Sequence, residues 1–308
     1  MLDQALFTSY QLLNKVSRSF ALCIQELPDS IRDHVANFYL LARYLDSIED
    51  SSLAEQQKRE GMDSFLHALK HKDEQAMIRL SRRIEEGIYQ KQDRELLQKA
   101  PHVFDVYQSF DEDSQQTIFR WLSEMQRGML KYFRKDIQTF RQLDEYCYYV
   151  AGTPGHYLTE VFCRHAALNQ EFLEANTNDF GLLLQKVNII RDLAIDYQQQ
   201  RYYWPTELLQ KLKIVFQNLF DPRYSEQRRM ILAEMIENAK NHYEKSLNYI
   251  LAIPENLKEI RLFLTIPFFM AVATLEKCKN NETIFDFKQT VKISREQTEQ
   301  LYHDLKLK

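Results

Sequence analysis

Residues 38–50 read Phe-Tyr-Leu-Leu-Ala-Arg-Tyr-Leu-Asp-Ser-Ile-Glu-Asp, an apolar run that closes on Asp46, Glu49 and Asp50. Periodic apolar positions predict a helix over 30–50. Helical residues four apart share a face, so Asp46 and Asp50 point together with Glu49 close by. A second segment repeats the pattern. Residues 182–196 read LLLQKVNIIRDLAID, and on a helix Asn188, Asp192 and Asp196 form another polar stripe. One such pair is weak evidence, because most are solvent-facing charges. Here both pairs emerge from apolar helices, where an unpartnered charge is costly. Metal ions and arginines are the available partners. Arg43 lies three residues before Asp46, Arg191 adjoins Asp192, and Arg201 follows Asp196 by five. Two acidic stripes facing each other across a pocket would hold hard divalent cations through oxygen. Mg²⁺ bound that way keeps waters and shares its other positions with substrate phosphates. Arginine's fixed donor fork grips phosphate oxygens. The two motifs together point to an enzyme that handles diphosphates.

The rest of the chain is compatible with such helices and with little else. Glycine numbers only 6 in 308 residues, where ordinary usage is roughly 7%. With 7 prolines besides, there is little material for the turns of an all-β fold. Apolar periodicity predicts helices at 4–16, 30–50, 54–70, 73–87, 92–109, 113–135, 142–167, 176–198, 226–251 and 257–277, and no strand alternation appears. One all-α domain over 1–308 is the expectation. A net charge of −4 without a basic run gives nucleic-acid binding no electrostatic support. Cys23, Cys147, Cys163 and Cys278 form no CxxC pair and read as buried reduced thiols. No signal peptide is visible. The longest apolar stretch, 262–275, spans fourteen residues and contains Pro267. It falls short of the about 20 needed to cross a bilayer. It reads as a buried helix lining a cavity, in a cytoplasmic protein without a transmembrane segment.

Two further segments stand out. Residues 146–155, YCYYVAGTPG, put two glycines and a proline inside a helical pattern. Each glycine costs about 1 kcal/mol against alanine and the proline about 3. The residues alone leave two readings open, a bend that makes room for a substrate chain or lets a backbone approach it, or a simple break between helices. Ser17-Arg18-Ser19-Phe20 offers hydroxyls and a guanidinium in one turn. Taken alone it reads as a helix cap with a surface arginine, although the same groups suit a phosphate. Most of the 17 Tyr and 19 Phe read as core packing, though aromatic faces also shield cations.

With these segments in hand, the chain resembles the squalene and phytoene synthase family. The likeness lies in SRSF (17–20), FYLLARYLDSIED (38–50), YCYYVAG (146–152), LLLQKVNIIRDLAID (182–196), RYYWP (201–205) and IPFFMAVATL (266–275), and so covers most of the chain. It implies an all-α isoprenoid synthase bundle around a central cavity. It also implies Mg²⁺-dependent head-to-head joining of two farnesyl diphosphates to presqualene diphosphate, then NADPH-dependent reduction to squalene. DSIED, YCYYVAG and IPFFMAVATL look closer to squalene-forming than to phytoene-forming members. The alternative is a member that stops at presqualene diphosphate or forms dehydrosqualene. The metal set implied is Asp46, Glu49, Asp50, Asn188, Asp192 and Asp196. Ser17, Arg18, Ser19, Phe20, Arg43, Tyr149, Gln185, Asn188, Arg191 and Arg201 would meet substrate. Tyr146 would assist the first half-reaction, with Tyr149 as the competing candidate. The nicotinamide site has no glycine fingerprint, and the likeness sets it near Arg191, Arg201 and Lys91. No partner protein is indicated, and transient contact with a membrane surface would serve product release. Two departures stand out. Eukaryotic members carry a C-terminal membrane anchor, whereas this sequence ends at LYHDLKLK. Ile195 stands where some relatives carry another acidic residue.

Overall fold

Helix signals in the sequence become seventeen α-helices among the described residues, with no strand. The structure is a computed structural model describing residues 2–133 and 135–306, and of Arg18 and Arg295 the backbone only. The expected all-α class holds. The chain groups into two compact units, residues 1–131 with 160–167 and residues 132–159 with 168–308.

The first unit is built from α1 (Leu2–Val16), α2 (Arg18–Gln25), α3 (Asp29–Glu49), α4 (Glu55–His71), α5 (Glu74–Ile84), α6 (Lys91–Gln98), α7 (Ala100–Ser109) and most of α8 (Glu112–Tyr132). Its core draws on Leu12, Leu13, Leu40, Leu45, Ile48, Phe65, Phe104 and Leu122, all fully buried. Burying side chains of this size contributes roughly 1.5–3 kcal/mol each. Helix starts follow local chemistry. Ser17 begins α2 by accepting the Phe20 N–H on its hydroxyl at 3.2 Å, and Asp73 begins α5 by accepting from Ala76 N at 2.8 Å. The single helix predicted over 92–109 is two, α6 and α7, parted at Lys99 (φ −102°, ψ 10°). Pro101 is the reason. It lacks an N–H, and its ring would meet the carbonyl four residues back.

The second unit holds α9 (Phe140–Cys147), a π-helical turn (Tyr148–Gly152), α10 (Thr153–His165) up to residue 159, α11 (Gln170–Arg191), α12 (Leu193–Gln198), α13 (Thr206–Lys211), α14 (Ser225–Lys240), α15 (Tyr243–Leu251), α16 (Lys258–Cys278) and α17 (Arg295–Lys306). The central element is α11, which buries Leu173, Phe180, Leu183, Val187 and Ile190 and packs against α14, α15, α16 and the π turn. Asn169 caps it, accepting from Phe172 N at 3.1 Å, so it begins six residues earlier than apolar periodicity predicts.

The helix predicted over 142–167 is continuous but widened at its middle. The Thr153 N–H bonds to Tyr148 O instead of Tyr149 O, and the Thr153 hydroxyl donates to Tyr149 O at 2.6 Å. Pro154, which can donate nothing, follows directly. The glycines serve close packing. A Cβ on Gly152 would lie 2.6 Å from Asn178 Oδ1, and one on Gly155 2.8 Å from Thr177 Oγ1. From the opposite side, a Cβ on Gly181 would lie 2.5 Å from Ala151 O. The π turn and α11 therefore meet backbone to backbone, a close approach that the missing side chains allow.

Helix α16 buries Phe263, Leu264, Ile266, Pro267, Phe268, Ala271 and Leu275, and Phe269 alone of its large apolar side chains is exposed, at 39%. Among the described residues no helix is long and apolar enough to cross a membrane.

Candidate active site

In the first unit the acidic motif closes α3. Asp50 is the C-terminal cap, and its N–H still bonds to Asp46 O at 2.8 Å, so the two side chains keep the one-turn spacing expected. Asp46, Glu49 and Asp50 are half-buried. Arg43 does not spend its donor fork on its own motif. It grips Asp93 of α6 through two bonds, Nε to Oδ1 at 3.0 Å and Nη2 to Oδ2 at 2.8 Å. Burial alone would lower the Arg43 pKa, but Asp93, and Asp46 after it, hold it above the ordinary value. Ser17 is committed to capping α2, and Ser19 and Phe20 lie half-buried on that helix. The Phe20 ring sits 5.4 Å from that of Tyr39 on α3. Arg18 starts α2, and its side chain lies outside the described residues.

In the second unit the acidic motif straddles a break. Asp192 ends α11 and begins α12, with φ −97° and ψ 12°. The Asp196 N–H nevertheless reaches Asp192 O at 2.9 Å, so the i,i+4 relation survives outside a continuous helix. Arg191 chelates Asp192 with Nε to Oδ1 at 2.8 Å and Nη2 to Oδ2. Burial acts to lower the Arg191 pKa, and Asp192 outweighs it and raises it. Arg201 Nη2 lies 3.1 Å from Asp196 Oδ1, and its backbone N–H meets Asp196 O at 2.8 Å. Asn188 and Gln185 lie half-buried in the last two turns of α11. Ile195 is exposed, so an acidic side chain there in a relative would face outward from α12.

The segment 201–204 then joins this motif to Tyr146. While Arg201 holds Asp196, Tyr203 accepts the Tyr146 hydroxyl proton at 3.0 Å, with the two rings stacked at 4.7 Å. Trp204, fully buried, pins the segment to α11 by donating Nε1–H to Ile189 O at 3.2 Å. Tyr132 meets the Tyr146 ring edge-on at 5.6 Å and donates its hydroxyl to Glu145 Oε2 at 2.6 Å. Burial, then the Glu145 carboxylate, pushes the Tyr132 phenol well above the usual range. Tyr149 is buried in the π turn, its ring edge-on to Tyr148 at 5.2 Å. Tyr203, Tyr132 and Asp93 were not singled out by sequence reasoning. RYYWP carried the signal for Tyr203, but nothing local marks Asp93.

Among the described residues, no group of three or more His, Cys, Asp or Glu side chains stands close enough to hold a metal by itself. The donors do fit Mg²⁺ shared with a diphosphate. They are hard oxygens in pairs one helical turn apart, with Asn188 adding an amide oxygen in the second unit. Among the described residues no comparable set marks a nicotinamide pocket. Arg191 and Arg201, expected near it, are engaged with Asp192 and Asp196.

A family model described as squalene/phytoene synthase matches residues 13–297. The chain belongs to the squalene/phytoene synthase family. Among this family's curated members, a squalene synthase of Schizosaccharomyces pombe is 34% identical over 309 residues, 97% of this chain and 65% of that protein. A squalene synthase of Dictyostelium discoideum is 31% identical over 290 residues, 90% of this chain and 65% of that protein. The chain therefore spans about 65% of the length of these curated relatives. A solved structure described as TcSQS in complex with the ligand E5700 superposes with a TM-score of 0.87 at 31% identity, covering 98% of this chain and 86% of that one.

Proposed function

We propose that this chain catalyses the Mg²⁺-dependent head-to-head condensation of two farnesyl diphosphates to presqualene diphosphate, followed by NADPH-dependent reduction to squalene. The observation that carries the proposal is the 201–204 segment. Within one unit it ties a phenol, Tyr146 through Tyr203, to an arginine-held carboxylate pair, Arg201 to Asp196 and Arg191 to Asp192. Ionising an allylic diphosphate and then losing a proton from the resulting cation needs both kinds of group. Membership of a family whose matched relatives are squalene synthases supports the same reading.

Asp192, Asp196 and Asn188 would hold Mg²⁺ for one diphosphate, and Asp46, Glu49 and Asp50 for another. Mg²⁺ supplies Lewis-acid neutralisation of the departing diphosphate charge. Arg191 and Arg201 keep guanidinium forks beside the carboxylates, ready to exchange carboxylate for phosphate oxygens as the charge develops. The Tyr146 oxygen, aligned by Tyr203, would take the proton lost when the cyclopropane closes while its own proton passes through the Tyr203 hydroxyl toward the departed diphosphate, the base that the reaction itself supplies. The faces of Tyr146, Tyr203 and Tyr132 shield the cation meanwhile. NADPH, when bound, would supply the hydride for the reductive step. Squalene, insoluble in water, would then leave toward a membrane surface.

Incubating the purified protein with farnesyl diphosphate and Mg²⁺, with and without NADPH, and analysing the lipid extract tests this. Squalene with NADPH, and presqualene diphosphate without it, is the expected result. Presqualene diphosphate as the sole product at saturating NADPH would make the protein a first-step synthase. No turnover of farnesyl diphosphate would reject the assignment.

A further inference from the structure

We infer that Lys186 is a positioning residue, holding the Tyr146 end of α9 in register with the carboxylate end of α11; this rests on the role proposed above for Tyr146. Among the described residues Lys186 is the one lysine in the set of largest fully buried side chains, at 1% exposure, toward the C-terminal half of α11. Its ammonium meets partners on three different segments, two through hydrogen bonds and the third, Asp144, through an ion pair. It donates to Asn238 Oδ1 of α14 at 2.6 Å and to His242 Nε2, ahead of α15, at 2.7 Å. It forms an ion pair with Asp144 Oδ1 of α9 at 2.5 Å.

The chemistry of this cluster is self-consistent. A lysine donates only, so His242 Nε2 must accept. The imidazole proton then sits on Nδ1, where Asp179 Oδ1 lies 2.7 Å away, and Lys245 meets the other Asp179 oxygen at 3.2 Å. Burial acts to raise the Asp179 pKa, but His242 and Lys245 outweigh it and lower it. Cys147 of α9 also borders Lys186. Burial pushes its thiol up, so it stays protonated and does not compete for the ammonium. The facing groups are thus Asp144 and Cys147 from α9, Asp179 from α11, Asn238 from α14, and His242 and Lys245 from the α14–α15 corner and α15.

A buried ion pair is poor value as a source of stability, since well-packed apolar residues of similar volume do as well or better. What it does supply is a unique geometry, and the geometry here is specific. Asp144 precedes Tyr146 by two residues, and the π turn begins two residues after it. Lys186 precedes Asn188 by two residues and Asp192 by six. The Lys186–Asp144 link therefore spans the two helices that carry the phenol and the carboxylates, just before the helix widens. A residue that sets such a distance affects the transition state more than binding, because misplacement by about 1 Å can cost on the order of 10²-fold.

Three variants test this: Asp144→Asn, Lys186→Met, and the double change Lys186→Met with Asp144→Leu. The Asp144 side chain is 41% exposed, so Asp144→Asn keeps a folded protein with Lys186 still held by Asn238 and His242. We expect it to lower kcat for presqualene diphosphate formation by about 10-fold, with KM for farnesyl diphosphate staying within about twofold. Amide hydrogen exchange over residues 146–152 should rise in parallel. The double variant, with no unpaired charge, should recover stability relative to Lys186→Met without recovering kcat. Unchanged exchange at 146–152 overturns the inference, as does a kcat within about twofold of the parent or a loss confined to KM. If the parent turns over no farnesyl diphosphate, raised exchange would still establish the link while the proposed activity fell.

Discussion

The two acidic motifs have the same carboxylate spacing and different surroundings. In the first unit Asp46 and Asp50 sit at the end of an unbroken α3, and the arginine of the motif is turned away onto Asp93. In the second unit the helix breaks at Asp192, and Arg191 and Arg201 bind the motif's own aspartates. One arginine therefore braces a neighbouring helix while the other two pair with the carboxylates of their own motif. In the second motif a diphosphate would exchange partners with arginines already present. In the first, Arg43 would have to leave a carboxylate only 4% exposed.

The largest effect should come from removing a carboxylate from either motif. Asp50→Asn and Asp192→Asn should each lower turnover on the order of 10³-fold with the circular dichroism spectrum unchanged. If one of them keeps near-normal activity, the two motifs are not equivalent in function. Next comes the phenol pair of the second unit. Tyr146→Phe should lose on the order of 10²-fold in the first half-reaction with farnesyl diphosphate binding retained. Tyr203→Phe should lose less, because Tyr146 keeps its own hydroxyl. A dead Tyr149→Phe beside an active Tyr146→Phe would move the role to the π turn.

The arginines separate the motifs in stability. Arg43→Met strands the buried Asp93 carboxylate. Breaking a fully buried pair costs about 3–5 kcal/mol, and with Arg43 itself 26% exposed a loss of about 2 kcal/mol in urea unfolding is expected. Arg191→Met, whose pair is about a quarter exposed on both sides, should shift stability by at most about 1 kcal/mol and show instead in kcat. Equal stability losses would erase the distinction between brace and site.

The smallest effect is in acid. In the first unit Glu95 is held down to about 2 by hydrogen bonds from Lys15 and Lys99. In the second unit Asp179 is held below the ordinary carboxylate value by His242 and Lys245 against its burial. A depressed carboxylate pKa gives stability that is present above the unfolded value, near 4, and is lost as pH falls through the folded value. Between about pH 4 and 2, Asp179→Asn should flatten the acid-unfolding curve more than Glu95→Gln, because the Glu95 pair is screened by solvent.

Much of the candidate site could be read from the chain because its pattern is local. The one-turn relation of Asp46 to Asp50, and of Asp192 to Asp196, follows from helical repeat. It even survives the break at Asp192, because the Asp196 N–H still finds the Asp192 carbonyl. The break itself was invisible, since LLLQKVNIIRDLAID contains no glycine or proline to announce it. The glycines of 146–155 were noticed for their cost. Their purpose required knowing that the α11 backbone lies against them at Gly181.

The sequence by itself determined the helical class, the two carboxylate pairs and the family, all consequences of residues within a few turns of one another or of motifs matched in order. Only the tertiary structure decided which charge meets which: Arg43 with Asp93 fifty residues away, Tyr146 with Tyr203, and Lys186 with Asp144 and His242. Periodicity fixes the face on which a side chain emerges. Its partner is fixed by distances of a few ångströms between segments remote in sequence, and no local pattern encodes those.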